Sequence, residues 1–121
     1  MGPVILVVDD DDDLRDTMSL VVEGAGYKAV QMSRAADVIA YASVSPAPAA
    51  ILLDLMMPGM TGAELRERLR AIPATAGTPI VVVTAFRDKR HLPTDVAGVL
   101  FKPFSADDLI AEVERVVRLV N

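Results

Sequence analysis

The segment Ala50-Ile51-Leu52-Leu53-Asp54 constrains this chain more than any other. Its apolar residues run without a polar break and then stop on a carboxylate. A strand covered on one face alternates apolar and polar residues. An unbroken apolar run needs cover on both faces, as in a parallel sheet flanked by helices. Asp54 therefore stands where a buried strand runs out into a loop. A Pro58-Gly59 turn and a capping-box pattern, Thr61-Gly62-Ala63-Glu64, follow it. In open α/β sheets that carboxyl edge is where ligands bind. A charge there is costly unless it is paired or holds a metal. A lone acid at such a place is more often a turn or cap residue, so the rest of the chain has to decide its role.

The same pattern recurs. Val4–Val8 is an apolar run that ends at Asp9, Pro79–Thr84 is apolar until its final hydroxyl, and Val96–Phe101 stops at Lys102. Lys28–Met32 reads as a weaker strand. Between the strands the apolar spacing changes to three and four. Leu14, Met18, Val21 and Ala25 predict a helix whose early acids, Asp11–Asp13, suit the positive end of its dipole and which Gly24 and Gly26 close. Ser33 is placed to cap a helix carrying Ala36, Ile39 and Ala42. Leu65, Leu69 and Ile72 line the helix after Thr61. Ser105 and Asp108 form a second capping-box pattern ahead of Leu109, Val113, Val116, Val117 and Val120. Residues 86–95 are polar and basic, contain Pro93, and leave room for a shortened or irregular fourth helix at most. Five βα units in succession predict an α/β fold: a doubly wound, five-stranded parallel sheet with helices on both faces. A single domain over residues 1–121 is expected, with no room after the last helix for another.

Parallel strands put their carboxyl ends on one edge. That edge gathers Asp9 and Asp10, Asp54, Thr84 and Lys102. With no cysteine and a single histidine, His91, the available ligands are oxygens, which suit a hard cation such as Mg²⁺. Clustered carboxylates repel one another until a cation binds. A carboxylate nucleophile, Mg²⁺, a hydroxyl donor and a lysine are the parts needed for phosphoryl transfer. The formal net charge of −5 argues against direct contact with nucleic acid or an anionic membrane. No run of eighteen apolar residues occurs, and the start lacks the layout of a signal peptide. A cytoplasmic location is expected.

Four motifs in order carry a resemblance over essentially the whole length: Val7-Val8-Asp9-Asp10, Asp54-Leu55-Met56-Met57-Pro58-Gly59-Met60-Thr61-Gly62, Thr84-Ala85 and Lys102-Pro103-Phe104. The chain resembles the receiver domain of two-component response regulators. The resemblance implies a flavodoxin-like sheet of order 2-1-3-4-5. It implies Asp54 as phosphoacceptor, supplied by a histidine kinase or phosphotransfer protein. Asp10, Asp54 and the Met56 carbonyl would hold Mg²⁺, Asp9 would support the ion through water, and Thr84 and Lys102 would bind the phosphoryl oxygens. Chemistry would be limited to self-phosphorylation and self-dephosphorylation, with no turnover of a separate substrate. Loss of the phosphoryl group is expected to be slow, because Met56 and Phe86 shield the path of attacking water. The sharp turn from Lys102 to the cap at Ser105 predicts a cis Lys102-Pro103 bond.

Two features depart from the family. Val99 stands where Tyr or Phe is usual, and Lys102 follows Thr84 by eighteen positions, shorter than usual by roughly one helical turn. A β-branched side chain has few rotamers and no ring to swing. The expected output is therefore a reordering of residues 86–93, whose Arg87, Lys89 and Arg90 read either as a surface for an acidic protein partner or as a solvated loop, in a monomer or weak dimer. The alternative reading is a small Mg²⁺-dependent phosphohydrolase with an aspartyl nucleophile, since Asp9-Asp10-Asp11 matches a D-x-D pattern. Such enzymes need further acids late in the chain, for which there is little room. A calcium loop from Asp9 would need Gly and an acid at its sixth and twelfth positions, where Leu14 and Leu20 stand. A flavin carrier would need a Ser/Thr/Gly-rich loop where the Asp run lies.

Overall fold

The computed structural model describes residues 2–55, 61–85 and 96–119. In chain order these form β1 (Val4–Val8), α1 (Asp12–Gly24), β2 (Lys28–Met32), α2 (Ala35–Val44), β3 (Ala50–Asp54), α3 (Gly62–Arg70), β4 (Ile80–Thr84), β5 (Gly98–Phe101) and α4 (Ala106–Leu119). The strands build one sheet in the order β2-β1-β3-β4-β5, every pair parallel, as expected. The irregular helix expected within 86–95 lies outside the described residues.

The side-chain alternation of each strand sorts its residues into two cores. Ile5, Val7, Ala50, Leu52, Val81 and Val83 pack under α1 and α4, against Met18, Val22, Leu109, Val113 and Val116. Leu6, Val8, Ile51, Leu53 and Ile80 pack on the opposite face, against Val38 and Ala42 of α2 and Leu65 and Leu69 of α3. Both faces of β1, β3 and β4 are thus covered, which is why their sequences carry almost no polar residue until the strand ends.

The helix ends follow from local chemistry. Asp11 caps α1 by accepting from the Leu14 N–H at 3.1 Å. At its other end the Tyr27 N–H donates to Val22 and the Gly26 N–H to Glu23, with Gly26 at φ +100°. This is a Schellman close, which needs a left-handed residue just past the helix. Thr61 caps α3, accepting from the Glu64 N–H at 3.1 Å. Ser105 and Asp108 satisfy each other's backbone N–H ahead of α4, at 3.0 and 3.3 Å. Beyond α3 the Thr75 hydroxyl donates to the Leu69 carbonyl at 2.6 Å.

Three boundaries differ from the sequence reading. α2 is preceded by Arg34, which makes no side-chain cap, so Ser33 does not cap it. Its buried residues are Ala35, Val38 and Ala42, and Ala36 faces solvent. β4 begins at Ile80, because Pro79 has no N–H to pair, although its carbonyl accepts from Ile51 at 3.0 Å. β5 begins at Gly98, two residues later than expected. Among the described residues no helix is long and apolar enough to cross a membrane.

The two glycines at the end of α1 make opposite predictions. A Cβ added at either meets no atom within 4 Å, but only Gly26 has positive φ. Gly26→Ala is expected to destabilise the fold by about 1 kcal/mol through left-handed strain. Gly24→Ala, in helical backbone, is expected to stabilise it by about 0.5 kcal/mol through a less flexible unfolded chain. Urea denaturation of the two variants checks both signs.

Candidate functional site

The sheet register aligns the strand ends stepwise. Leu53 lies opposite Val8, Asp54 opposite Val83, and Thr84 opposite Phe101. Asp9 follows Val8 directly, and Lys102 follows Phe101. The Lys102 N–H donates to the Thr84 carbonyl at 2.9 Å, which carries the β4–β5 pairing one residue past the strand. The Lys102-Pro103 bond is cis, as expected. Residues 93 positions apart thus meet on one edge.

Asp9 is fully buried and Asp54 is 5% exposed, whereas Asp10 is open to solvent. The Lys102 ammonium lies between the two buried acids, 3.2 Å from Asp9 Oδ2 and 3.6 Å from Asp54 Oδ2. Buried carboxylates need such a partner, because low-dielectric surroundings penalise an isolated charge. The other Asp9 oxygen, Oδ1, accepts from the Asp11 N–H at 2.9 Å. Both oxygens of Asp9 are therefore engaged within the protein. Its main chain is held too, since its N–H donates to the Met32 carbonyl at 3.2 Å.

One carboxylate oxygen from each of Asp9, Asp10 and Asp54 lies within 4.8 Å of the others. The cluster is compact and its all-oxygen donor set fits a hard cation such as Mg²⁺. The solvent-facing Asp10 is reachable by the ion, and the engaged Asp9 is better suited to orienting the cluster than to direct ligation. Thr84 ends β4 beside Asp54's strand and is fully buried. Met56 and Phe86 lie outside the described residues, as do Arg87, Lys89 and Arg90. α3 starts close behind β3, where a Cβ on Gly62 would meet the end of the Leu55 side chain.

The structure therefore brings together Asp9, Asp10, Asp54 and Lys102, with Thr84 on the neighbouring strand end. Val99 is half-buried in β5, opposite Val82. Sequence reasoning missed Arg15, which donates to the Asp9 carbonyl at 2.8 Å. The available signal was its place one helical turn after Asp12, with which it pairs at 2.6 Å.

Comparison with known proteins agrees with this arrangement. The sequence profile described as Response regulator receiver domain matches residues 5–114. The phosphate regulon transcriptional regulatory protein PhoB of Pseudomonas aeruginosa is 33% identical over 122 residues, covering 98% of this chain and 53% of that protein. The DNA-binding dual master transcriptional regulator RpaA of Synechocystis is 34% identical over 120 residues, covering 96% and 49%. The chain spans about half the length of the curated relatives it matches. The chemotaxis response regulator CheY4 of Vibrio cholerae superposes with a TM-score of 0.87 at 28% identity, covering 96% of this chain and 99% of that one. The receiver domain of the sensor histidine kinase PA1611 of Pseudomonas aeruginosa, solved with magnesium coordinated in its active site cleft, superposes with a TM-score of 0.88. It is 23% identical, covers 98% of this chain and 99% of that one, and bears on the fold alone. By its motifs, its sheet order and the match over residues 5–114, the chain belongs to the response regulator receiver domain family.

Proposed function

We propose that this receiver domain accepts a phosphoryl group on Asp54 from a phosphohistidine of a histidine kinase or phosphotransfer protein. The observation that carries the reading is the pairing of buried Asp54 with the Lys102 ammonium, 3.6 Å away, inside a cluster of three carboxylates. An Asp54 oxygen attacks phosphorus, an acyl phosphate O–P bond forms, the N–P bond to the donor imidazole breaks, and the imidazole nitrogen keeps the electron pair. Lys102 is near enough to turn from Asp54 to the incoming phosphoryl oxygens, and the Thr84 hydroxyl is the second donor to them. Asp10, Asp54 and the Met56 carbonyl would hold Mg²⁺, with Asp9 orienting the cluster. The ion would supply positive charge against the phosphoryl oxygens.

The domain signals by its phosphorylation state and turns over no separate substrate. Relatives are described as transcriptional regulators or as DNA-binding regulators. In this chain a net charge of −5 favours a protein partner over nucleic acid. A cytoplasmic monomer or weak dimer completes the proposal.

Two experiments test this. Incubation with Mg²⁺ and acetyl phosphate should add one phosphoryl mass to the wild type and none to Asp54→Asn, as read by intact-mass spectrometry. Equal labelling of Asp54→Asn would remove Asp54 from the role, and turnover of p-nitrophenyl phosphate would favour the phosphohydrolase. Separately, MgCl₂ at about 100 times its Kd should stabilise the wild type by about 2.7 kcal/mol. At the same concentration Asp10→Ala should gain far less. Thermal melts with and without MgCl₂ check this, and an equal gain for the variant counts against Asp10 as a ligand.

A further inference from the structure

Arg15 is the fourth residue of α1, at the end of its first turn, and is mostly buried, its side chain 14% exposed. Its guanidinium spans three elements. Nη1 donates to the Asp9 carbonyl at 2.8 Å, Nε to Gln31 Oε1 on β2 at 3.1 Å, and Nη2 to Asp12 Oδ1 at 2.6 Å. The Asp9 carbonyl and the Asp10 N–H belong to one rigid peptide plane. A donor held on that oxygen therefore sets the tilt of the plane, and with it the direction in which the Asp10 side chain leaves the backbone. Asp9 itself is already held at its N–H and at both carboxylate oxygens. The carbonyl is its remaining handle, and Arg15 takes it.

We infer that Arg15 is a positioning residue for the Asp10 carboxylate, a strut from β2 and α1 onto the Asp9–Asp10 peptide that presents Asp10 to Mg²⁺. This rests on the reading of the cluster as a Mg²⁺ site. The planar fork suits the task, since a guanidinium engages several acceptors in fixed directions where an ammonium is a point charge. Gln31 and Asp12 orient the guanidinium from either side. Outer partners of this kind commonly contribute 10- to 100-fold in metal affinity.

The charge of Arg15 makes the test decisive in sign. Removing a positive charge beside a cation site should tighten Mg²⁺ binding if only the Coulomb repulsion between the two cations mattered. Loss of positioning weakens it. Titration calorimetry with MgCl₂ on the full chain, well below the melting temperature, should show Kd raised about tenfold in Arg15→Met, which keeps an apolar stem and loses every donor. Arg15→Lys restores the charge but cannot reach three acceptors at once, and its Kd should lie between the two. Asp12→Asn keeps an Oδ1 acceptor that orients the guanidinium, leaves the donor to Asp9 in place, and should stay within about twofold of wild type. A Kd for Arg15→Met equal to or tighter than wild type overturns the inference. So does full recovery in Arg15→Lys, or failure of both Arg15 variants to melt cooperatively, which would make Arg15 a scaffold residue only. A wild type that binds no Mg²⁺ overturns the proposed function itself, an outcome distinct from unchanged variants.

Discussion

The parallel pairing of the strands is the constraint on which the rest depends. Because all run the same way, each chain segment that leaves the sheet at its carboxyl end does so on one edge. The register then decides which ends are neighbours: Asp54 beside Val83, Thr84 beside Phe101, Leu53 beside Val8. A slip of one residue would turn each side chain to the other face and exchange the two cores. Helical cover on both sides protects the register, since Leu6 and Val7, or Ile51 and Leu52, must both be buried, on opposite faces.

Burying carboxylates at that edge has a cost, and the fold offsets it in three ways. Lys102 arrives from β5 across the sheet and lies against both Asp9 and Asp54. The Asp11 N–H, at the start of α1, takes the second oxygen of Asp9. The positive end of α1 begins just after Asp9 and Asp10. Asp10 is the exception: it stays in solvent, which keeps it reachable by an ion. The asymmetry between engaged Asp9 and open Asp10 distinguishes two adjacent residues that are chemically identical.

Much of this was legible before any coordinates. β1 and β3 have the bounds that their hydrophobicity gives, because a strand covered on both faces tolerates no polar residue and stops where one appears. β2, partly exposed and carrying Lys28 and Gln31, also has the expected bounds. The misses occur where the sequence has little contrast. α2 contains Ala35, Ala36, Ala40 and Ala42, and alanine fits buried and exposed faces equally, so the face turned inward is set by packing. Ser33 is a good cap residue, yet the helix starts after Arg34, without a side-chain cap. Local preference is worth about 1 kcal/mol at a cap, less than the burial of Val38 and Ala42 that fixes where this helix lies.

The role of Arg15 was not legible, because its main acceptor is a backbone carbonyl, and a carbonyl has no residue type to mark it. By itself the amino-acid order determined the element types, their succession and the residue standing at each strand end. Those depend on hydrophobic period, turn residues and caps, all encoded within a few positions. Only the tertiary structure decided that Lys102 lies between Asp9 and Asp54, that both oxygens of Asp9 are taken, and that Arg15 reaches the Asp9 carbonyl. Those contacts join groups far apart in the chain, up to 93 positions. Their distances are set by sheet register and helix packing, which no local pattern specifies.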